Sequence, residues 1–168
     1  MGVHRPFGAW WLAALLFAAT AAQAGEIKPF VPGSMKSILA AHQGKPFILG
    51  LWSLSCVHCR DDLRLLGKLV GKYPAVDLVL VATDTPAETA ALASTLKQYG
   101  LQRREAWVFG DDFSERLRFE IDRNWYGELP RTYFIAAAGD SEAVSGKLDA
   151  FHVEQWVRQH VGSARSPR

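Results

Sequence analysis

The chain has 168 residues, of which 49% are hydrophobic and 21% charged, and its formal net charge is +2. That length suits one domain, and the composition is that of a globular protein. The near-neutral balance offers no basic stripe for nucleic acid, and the sequence holds no internal repeat or low-complexity tract.

Met1 to Arg5 is short and basic, Phe7 to Ala22 is apolar, and Ala22-Gln23-Ala24 places small residues around a glutamine. This is the three-part pattern of a secretory signal, so cleavage is expected after Ala24. A domain over residues 25–162 and a flexible tail over 163–168 remain. An uncleaved membrane anchor is the alternative, although the apolar stretch is short against the roughly 20 residues of a spanning helix. No cysteine follows the apolar run, which excludes a lipoprotein anchor. The expected location is the periplasm, with membrane attachment only if the segment stays uncleaved.

Gly25 to Gly33 reads as a proline-containing lead-in. Ser34 is placed to cap a helix over Met35 to His42, which Gly44 ends. Pro46 to Trp52 reads as a buried strand, with Phe47, Ile48, Leu49 and Leu51 in a nearly continuous apolar run. After a loop at Ser53 to Ser55, a helix is expected over Cys56 to Lys72, with Leu63, Leu66, Leu69 and Val70 at helical spacing. Val76 to Thr83 is a second buried strand, of the kind found in parallel sheets covered on both faces. Pro86 suits the first turn of a helix running to Tyr99, closed by Gly100. Ala106 to Phe109 reads as a short strand and Asp112 to Ile121 as an amphipathic helix. A loop holding Trp125, Tyr126 and Gly127 leads to a strand over Tyr133 to Ala137. Gly139-Asp140 turns it into an antiparallel partner over Glu142 to Leu148. Ala150 to Val161 forms a last helix. This order implies an α/β fold with a mixed central sheet and helices on both faces.

The only two cysteines, Cys56 and Cys59, stand two residues apart where a strand hands over to a helix. A helix N-terminus favours negative charge and so lowers the pKa of a thiol placed there. That makes a Cys-x-x-Cys pair an exchangeable disulfide. A purely structural disulfide would close a loop too short to stabilise much, because the gain grows with loop length. A structural zinc site needs four ligands, which Cys56, His58 and Cys59 do not supply. Haem attachment needs a histidine after the second cysteine, and Arg60 stands there. Copper(I) on the two thiolates, with a distant ligand such as His152, remains an alternative, as does a redox-inactive binding module.

The chain resembles thioredoxin-fold proteins, and more closely the exported thioredoxin-like disulfide reductases of the TlpA type. The residues that carry this are Trp52-x-x-x-Cys56-x-x-Cys59, Asp62 three residues beyond, and the segment Pro86 to Phe109 in the place of that family's inserted helix and strand. Gly127-Glu128-Leu129-Pro130-Arg131-Thr132, in the place of its Gly-x-x-Pro-x-Thr stretch, completes the set. The resemblance spans nearly all of the expected mature chain. It implies a thioredoxin fold with an inserted helix-strand unit, and a protein disulfide oxidoreductase that needs no organic cofactor and no metal. It further implies partners that are protein thiols and disulfides together with an upstream electron donor or acceptor. A monomer is expected. Departures are Ser55, where the family carries Trp, and Val57-His58 between the cysteines. Gly50 stands where ordinary thioredoxin has a buried Asp, so no proton passes through that position.

On this reading Cys56 is the nucleophile and Cys59 the resolving thiol. Asp62 is the candidate proton acceptor for Cys59, with Asp61 beside it as a plain dipole-complementing acid. His58 is a redox-tuning residue if its imidazole stabilises the Cys56 thiolate, and a solvated side chain otherwise. The resemblance makes Pro130 cis, which sets Leu129 beside the disulfide as a substrate-binding wall. Trp52 is expected beneath the site and Ser55 on its rim, while Trp125 and Tyr126 suit either rim or core. His42, His152 and His160 read as surface or packing residues.

Overall fold

The computed structural model describes residues 25–162, so the expectations for residues 1–24 and 163–168 lie outside the described residues. A six-stranded sheet has the order β1-β4-β3-β2-β5-β6, built from β1 (Ile27–Phe30), β2 (Phe47–Trp52), β3 (Asp77–Ala82), β4 (Glu105–Phe109), β5 (Arg131–Ile135) and β6 (Ser141–Ser145). β2 pairs in parallel with β3 on one side and antiparallel with β5 on the other. This is the mixed sheet expected from the sequence.

The sheet has helices on both faces because its central strands are apolar on both. Side chains alternate across a strand. Ile48 and Trp52 of β2 therefore join the core beneath α2 (Cys59–Lys72), α3 (Thr89–Gln98) and α5 (Ala150–His160). Phe47, Leu49 and Leu51 join the opposite core beneath α1 (Ser34–Ala41) and α4 (Ser114–Ile121). α2 contributes Leu63, Leu66, Leu69 and Val70, all buried, to the first core. Burying each such side chain stabilises the fold by roughly 1.5–3 kcal/mol.

Several boundaries differ from the sequence reading. The lead-in contains β1, which pairs in parallel with β4. β1 carries Pro29, which an edge strand tolerates because the missing N–H need not pair. Gly33 rather than Ser34 precedes α1, with φ of 93°. Ser34 Oγ instead accepts a hydrogen bond from Val31 N, and the α1 end is satisfied from α4, where Glu120 accepts from Gly33 N and Met35 N. The helix expected from Pro86 opens as a 3₁₀ turn closed by a Thr85–Glu88 capping box, and α3 follows it. β5 starts two residues earlier than expected, because its register against β2 begins at Arg131 opposite Leu51. β6 stops at Ser145, before Gly146 with φ of +83°, which releases Leu148 into the core.

One glycine controls a close approach between helices. A Cβ on Gly67 of α2 would run into the backbone carbonyl of Tyr99 at the end of α3. Overpacking costs about 1–3 kcal/mol, and an obstacle made of backbone lies at the upper end. Better helix propensity returns about 1 kcal/mol. Gly67→Ala is therefore expected to lower the free energy of unfolding by about 2 kcal/mol, read as a lower urea midpoint at unchanged slope. An unchanged midpoint would mean that the two helices are free to separate.

Candidate functional site

β2 ends at Trp52, and the chain then turns out of the sheet before α2 begins. Carboxyl ends of parallel strands are where open α/β sheets expose their crevices. Cys56 and Cys59 meet here in a disulfide, with Cα atoms 5.3 Å apart. The helix starts at Cys59, three residues later than expected, so Cys56 is not its first residue. Cys56, Val57 and His58 instead form the turn before it. Cys56 N donates to Ser53 O at 3.3 Å, which closes the loop as a turn.

This displacement gives the helix-end effect a specific donor. Cys59 N–H, at the first position of α2, donates to Cys56 Sγ at 3.1 Å. The sulfur thus occupies the place of a capping oxygen, where an orphan first-turn N–H and the positive helix end both favour negative charge. Cys56 is half-buried, while Cys59 is only 1% exposed. A partner can reach the disulfide through Cys56 alone.

The loop is pinned from two sides. Asp84, just past β3, accepts Leu54 N–H on both carboxylate oxygens, at 3.1 and 3.2 Å. Its burial raises its pKa above the ordinary carboxylate value. Thr83 N donates to Trp52 O at 2.9 Å, and Ser53 Oγ lies 3.1 Å from Ser55 Oγ. Sequence reasoning missed Asp84, because an aspartate after a strand is an ordinary turn residue and nothing in its neighbours links it to position 54. Trp52 is buried in the same core as Cys59, and Ser55 is exposed on the rim.

Beneath the disulfide the two adjacent aspartates separate cleanly. Asp61 is half-exposed, and hydrogen bonds from Lys147 (3.1 Å) and Arg64 (2.7 Å) hold its pKa below the usual value. Asp62 is 4% exposed and is the one buried carboxylate among the described residues. Its Oδ1 accepts Leu148 N–H at 3.0 Å, and its Oδ2 is buried without a hydrogen-bond partner among the described residues. Burial dominates and pushes its pKa up to about 6. It stands one helical turn from Cys59, on the same face of α2. Gly50 has no side chain and so supplies no second carboxyl, and a Cβ there would meet the Leu80 and Leu66 side chains at 3.1 and 3.6 Å.

The Leu129-Pro130 peptide bond is cis. Pro130 directly precedes β5, whose first residue pairs with Leu51 near the end of β2, so the proline and the disulfide loop share one end of the sheet. Pro130 is buried, and Leu129 is half-buried against both cores. The segment is braced by Arg131, which donates to Asp122 at 2.8 Å and to Glu128 at 2.9 Å, and by Tyr133 OH on Asp122 at 3.0 Å. Trp125 is core, 3% exposed, and its indole N–H donates to Glu128 O at 2.8 Å, whereas Tyr126 is 89% exposed. His58 is exposed and makes no side-chain hydrogen bond among the described residues. His42 stacks on Phe47, His160 stacks on Trp156, and His152 packs edge-on against Phe134. Among the described residues no group of three or more His, Cys, Asp or Glu side chains could hold a metal. No helix among them is long and apolar enough to cross a membrane.

No family model and no curated relative matches the sequence. Solved structures do match. A secreted disulfide oxidoreductase of Mycobacterium tuberculosis, described as homologous to E. coli DsbE, is 24% identical with a TM-score of 0.57, over 71% of this chain and 85% of that one. A thiol:disulfide interchange protein of the thioredoxin family from Chlorobium tepidum TLS is 17% identical with a TM-score of 0.57, over 74% of this chain and 85% of that one. StoA from Bacillus subtilis is 19% identical with a TM-score of 0.53, over 68% of this chain and 84% of that one. At these identities the likeness shows the fold, and the fold is thioredoxin-like.

Proposed function

We propose that this protein is a thiol–disulfide oxidoreductase that exchanges disulfides with protein partners through Cys56 and Cys59. The observation that carries this is a disulfide whose one reachable sulfur accepts a first-turn helix N–H while its other sulfur is buried one turn from a raised-pKa carboxyl. Solved neighbours described as disulfide oxidoreductases and thiol:disulfide interchange proteins support the same reading. Among thioredoxin-like proteins, the Trp52, Asp62 and Gly127-to-Thr132 features favour the TlpA type. The location we propose is the periplasm, supported by the signal-like segment before Gly25 and by a neighbour described as secreted.

Reduction of a partner starts from the dithiol. The Cys56 thiolate attacks one partner sulfur, the partner disulfide breaks, and a mixed disulfide forms. Cys59 then gives its proton to the Asp62 carboxylate and attacks Cys56 Sγ, which releases the partner's second thiolate. Oxidation of a partner dithiol runs the same steps in reverse, with the protonated Asp62 returning its proton to the leaving Cys59. Asp84 holds the loop that presents Cys56, and Leu129-Pro130 forms the wall against which an extended partner segment lies. Trp52 supports the loop from below, and Ser55 meets the partner at the rim.

Two features favour the Cys56 thiolate and so the reduced state: the Cys59 N–H and the neighbouring imidazole of His58. The pair should therefore be more oxidising than thioredoxin, with a potential above about −270 mV. Equilibration against glutathione, with insulin reduction as the activity readout, tests both points. Insulin left intact by the dithiol would overturn the exchange reading. A potential at or below the thioredoxin value would remove His58 from the tuning role.

A further inference from the structure

A cleft of about 240 Å³ opens directly beside the disulfide loop, floored by Trp52 and Leu63 and walled by Gln98 and Tyr99 of the α3 end. It continues along α2 into a second, wider depression at Arg64, Gly67 and Lys68, with Gln98 and Tyr99 again on the far side. Gly67 lets α2 lie against the Tyr99 carbonyl, and both residues line the wider depression.

The α2 rim of this groove is cationic and regularly spaced. Arg60, Arg64 and Lys68 follow at four-residue intervals and are all exposed. Arg60 and Lys68 have no ion pair among the described residues, while Arg64 pairs with Asp61 and lies over the Tyr99 ring at 5.8 Å. Asp61 is the carboxylate that touches the stripe, and Lys147 also engages it. Asp62 lies on the other side of the helix, buried. None of these cations takes part in the exchange steps above.

Resting on the exchange reading, we infer that this groove is a recognition site for partners carrying an acidic extended segment next to the cysteine they exchange. The spacing supports that class of ligand. One i-to-i+4 step along a helix rises about 6 Å. Alternate residues of an extended chain lie about 6.6–6.8 Å apart on one side. Carboxylates at every second position of a strand laid along α2 therefore match Arg60, Arg64 and Lys68 in turn. The 240 Å³ cleft beside the disulfide loop is lined by Arg60, Thr95 and Gln98 as well as by the buried Trp52 and Leu63, so it takes one short polar side chain. This surface lies on the face of α2 turned away from Asp62, so it adds to the Leu129-Pro130 wall rather than duplicating it.

The test compares two peptides, each with one cysteine as a glutathione mixed disulfide, followed by Glu-x-Glu-x-Glu or by Gln-x-Gln-x-Gln. Three exposed pairs of ordinary strength give an expected kcat/KM ratio of about tenfold for acidic over neutral peptide at low salt. That ratio should fall toward one as salt is raised. In Lys68→Glu, two turns from Cys59, the ratio should fall by about half an order of magnitude, and in Arg60→Glu/Lys68→Glu it should vanish or invert. Taking the ratio within each protein cancels any change in the reactivity of Cys56. A cysteine-free acidic peptide, followed by fluorescence anisotropy, reads the groove without any exchange. A ratio near one in the wild type, a ratio that survives charge reversal, or equal binding of a polyphosphate of the same charge overturns the inference. Salt-sensitive binding of the acidic peptide with no exchange of either peptide would keep the groove and overturn the exchange reading instead.

Discussion

Cys56→Ser protein is expected to lose exchange with protein disulfides by at least about a thousandfold, because the one reachable sulfur is gone and Cys59 cannot substitute from its buried position. Cys59→Ser should behave differently. It keeps the exposed thiol and the N–H that donates to it, so the first attack proceeds. The mixed disulfide then has no internal thiol to resolve it and accumulates, visible on a non-reducing gel and reversible by dithiothreitol. Neither change should unfold the protein. A four-residue loop closed by a disulfide contributes only about 2 kcal/mol in the chain-entropy view, and both variants should keep a native circular-dichroism spectrum. Trapping by Cys56→Ser but not Cys59→Ser would reverse the assigned roles. Turnover by either single-cysteine variant at the wild-type rate would sink the mechanism.

Asp62→Asn should change both kinetics and pH-dependent stability. Asparagine keeps an oxygen for Leu148 N–H and nearly the same volume, but it takes no proton. Resolution of a preformed mixed disulfide should slow by about a hundredfold near neutral pH, the ordinary scale of general acid–base assistance. The wild-type rate should rise through a pKa of about 6, and the variant should lack that limb. The stability effect has a definite sign. A carboxyl whose pKa is raised from 3.8 to about 6 binds its proton more tightly when folded. Its contribution is fully present below the unfolded value and is lost as pH rises through the folded one. Relative to Asp62→Asn, the wild type should lose up to about 3 kcal/mol between about pH 2 and pH 7, with most of the change complete just above pH 6. Acids that do not act on Asp62, such as Asp84, are common to both proteins and cancel in the difference. Parallel stability curves across that window would show that Asp62 ionises as freely as a surface acid.

The fold was largely legible in the sequence because its signals are local. Continuous apolar runs at Phe47 to Trp52 and Val76 to Thr83 mark strands covered on both faces, and the leucine spacing from Leu63 marks the helix between them. What the sequence obscured is set by distant partners. β1, read from the sequence as a proline-containing lead-in, exists because β4 offers it an edge. α2 starts at Cys59 rather than Cys56, the chain before it being held in turns by Cys56 N on Ser53 O and by the distant Asp84 on Leu54 N–H. The α1 end is satisfied by Glu120, 87 positions away from Gly33, in place of a local cap.

The candidate site divides in the same way. Cys-x-x-Cys between a strand and a helix states its chemistry in four consecutive residues, and from sequence alone it already implied an exchangeable pair with Cys56 outermost. The resemblance already pointed to Asp62 over Asp61, but the reason is not visible there, because the two are adjacent and chemically identical. Tertiary packing decides it: β6 and the segment after it bring Lys147 to Asp61 and Leu148 N–H to Asp62, so one acid is paired in solvent and the other is buried. Asp84 and the Arg60-to-Lys68 groove belong to the same class, since loops and helices far apart in the chain create them. Short-range pattern is written in side-chain order, whereas burial, which shifts a pKa or opens a cleft, depends on what the rest of the chain places alongside.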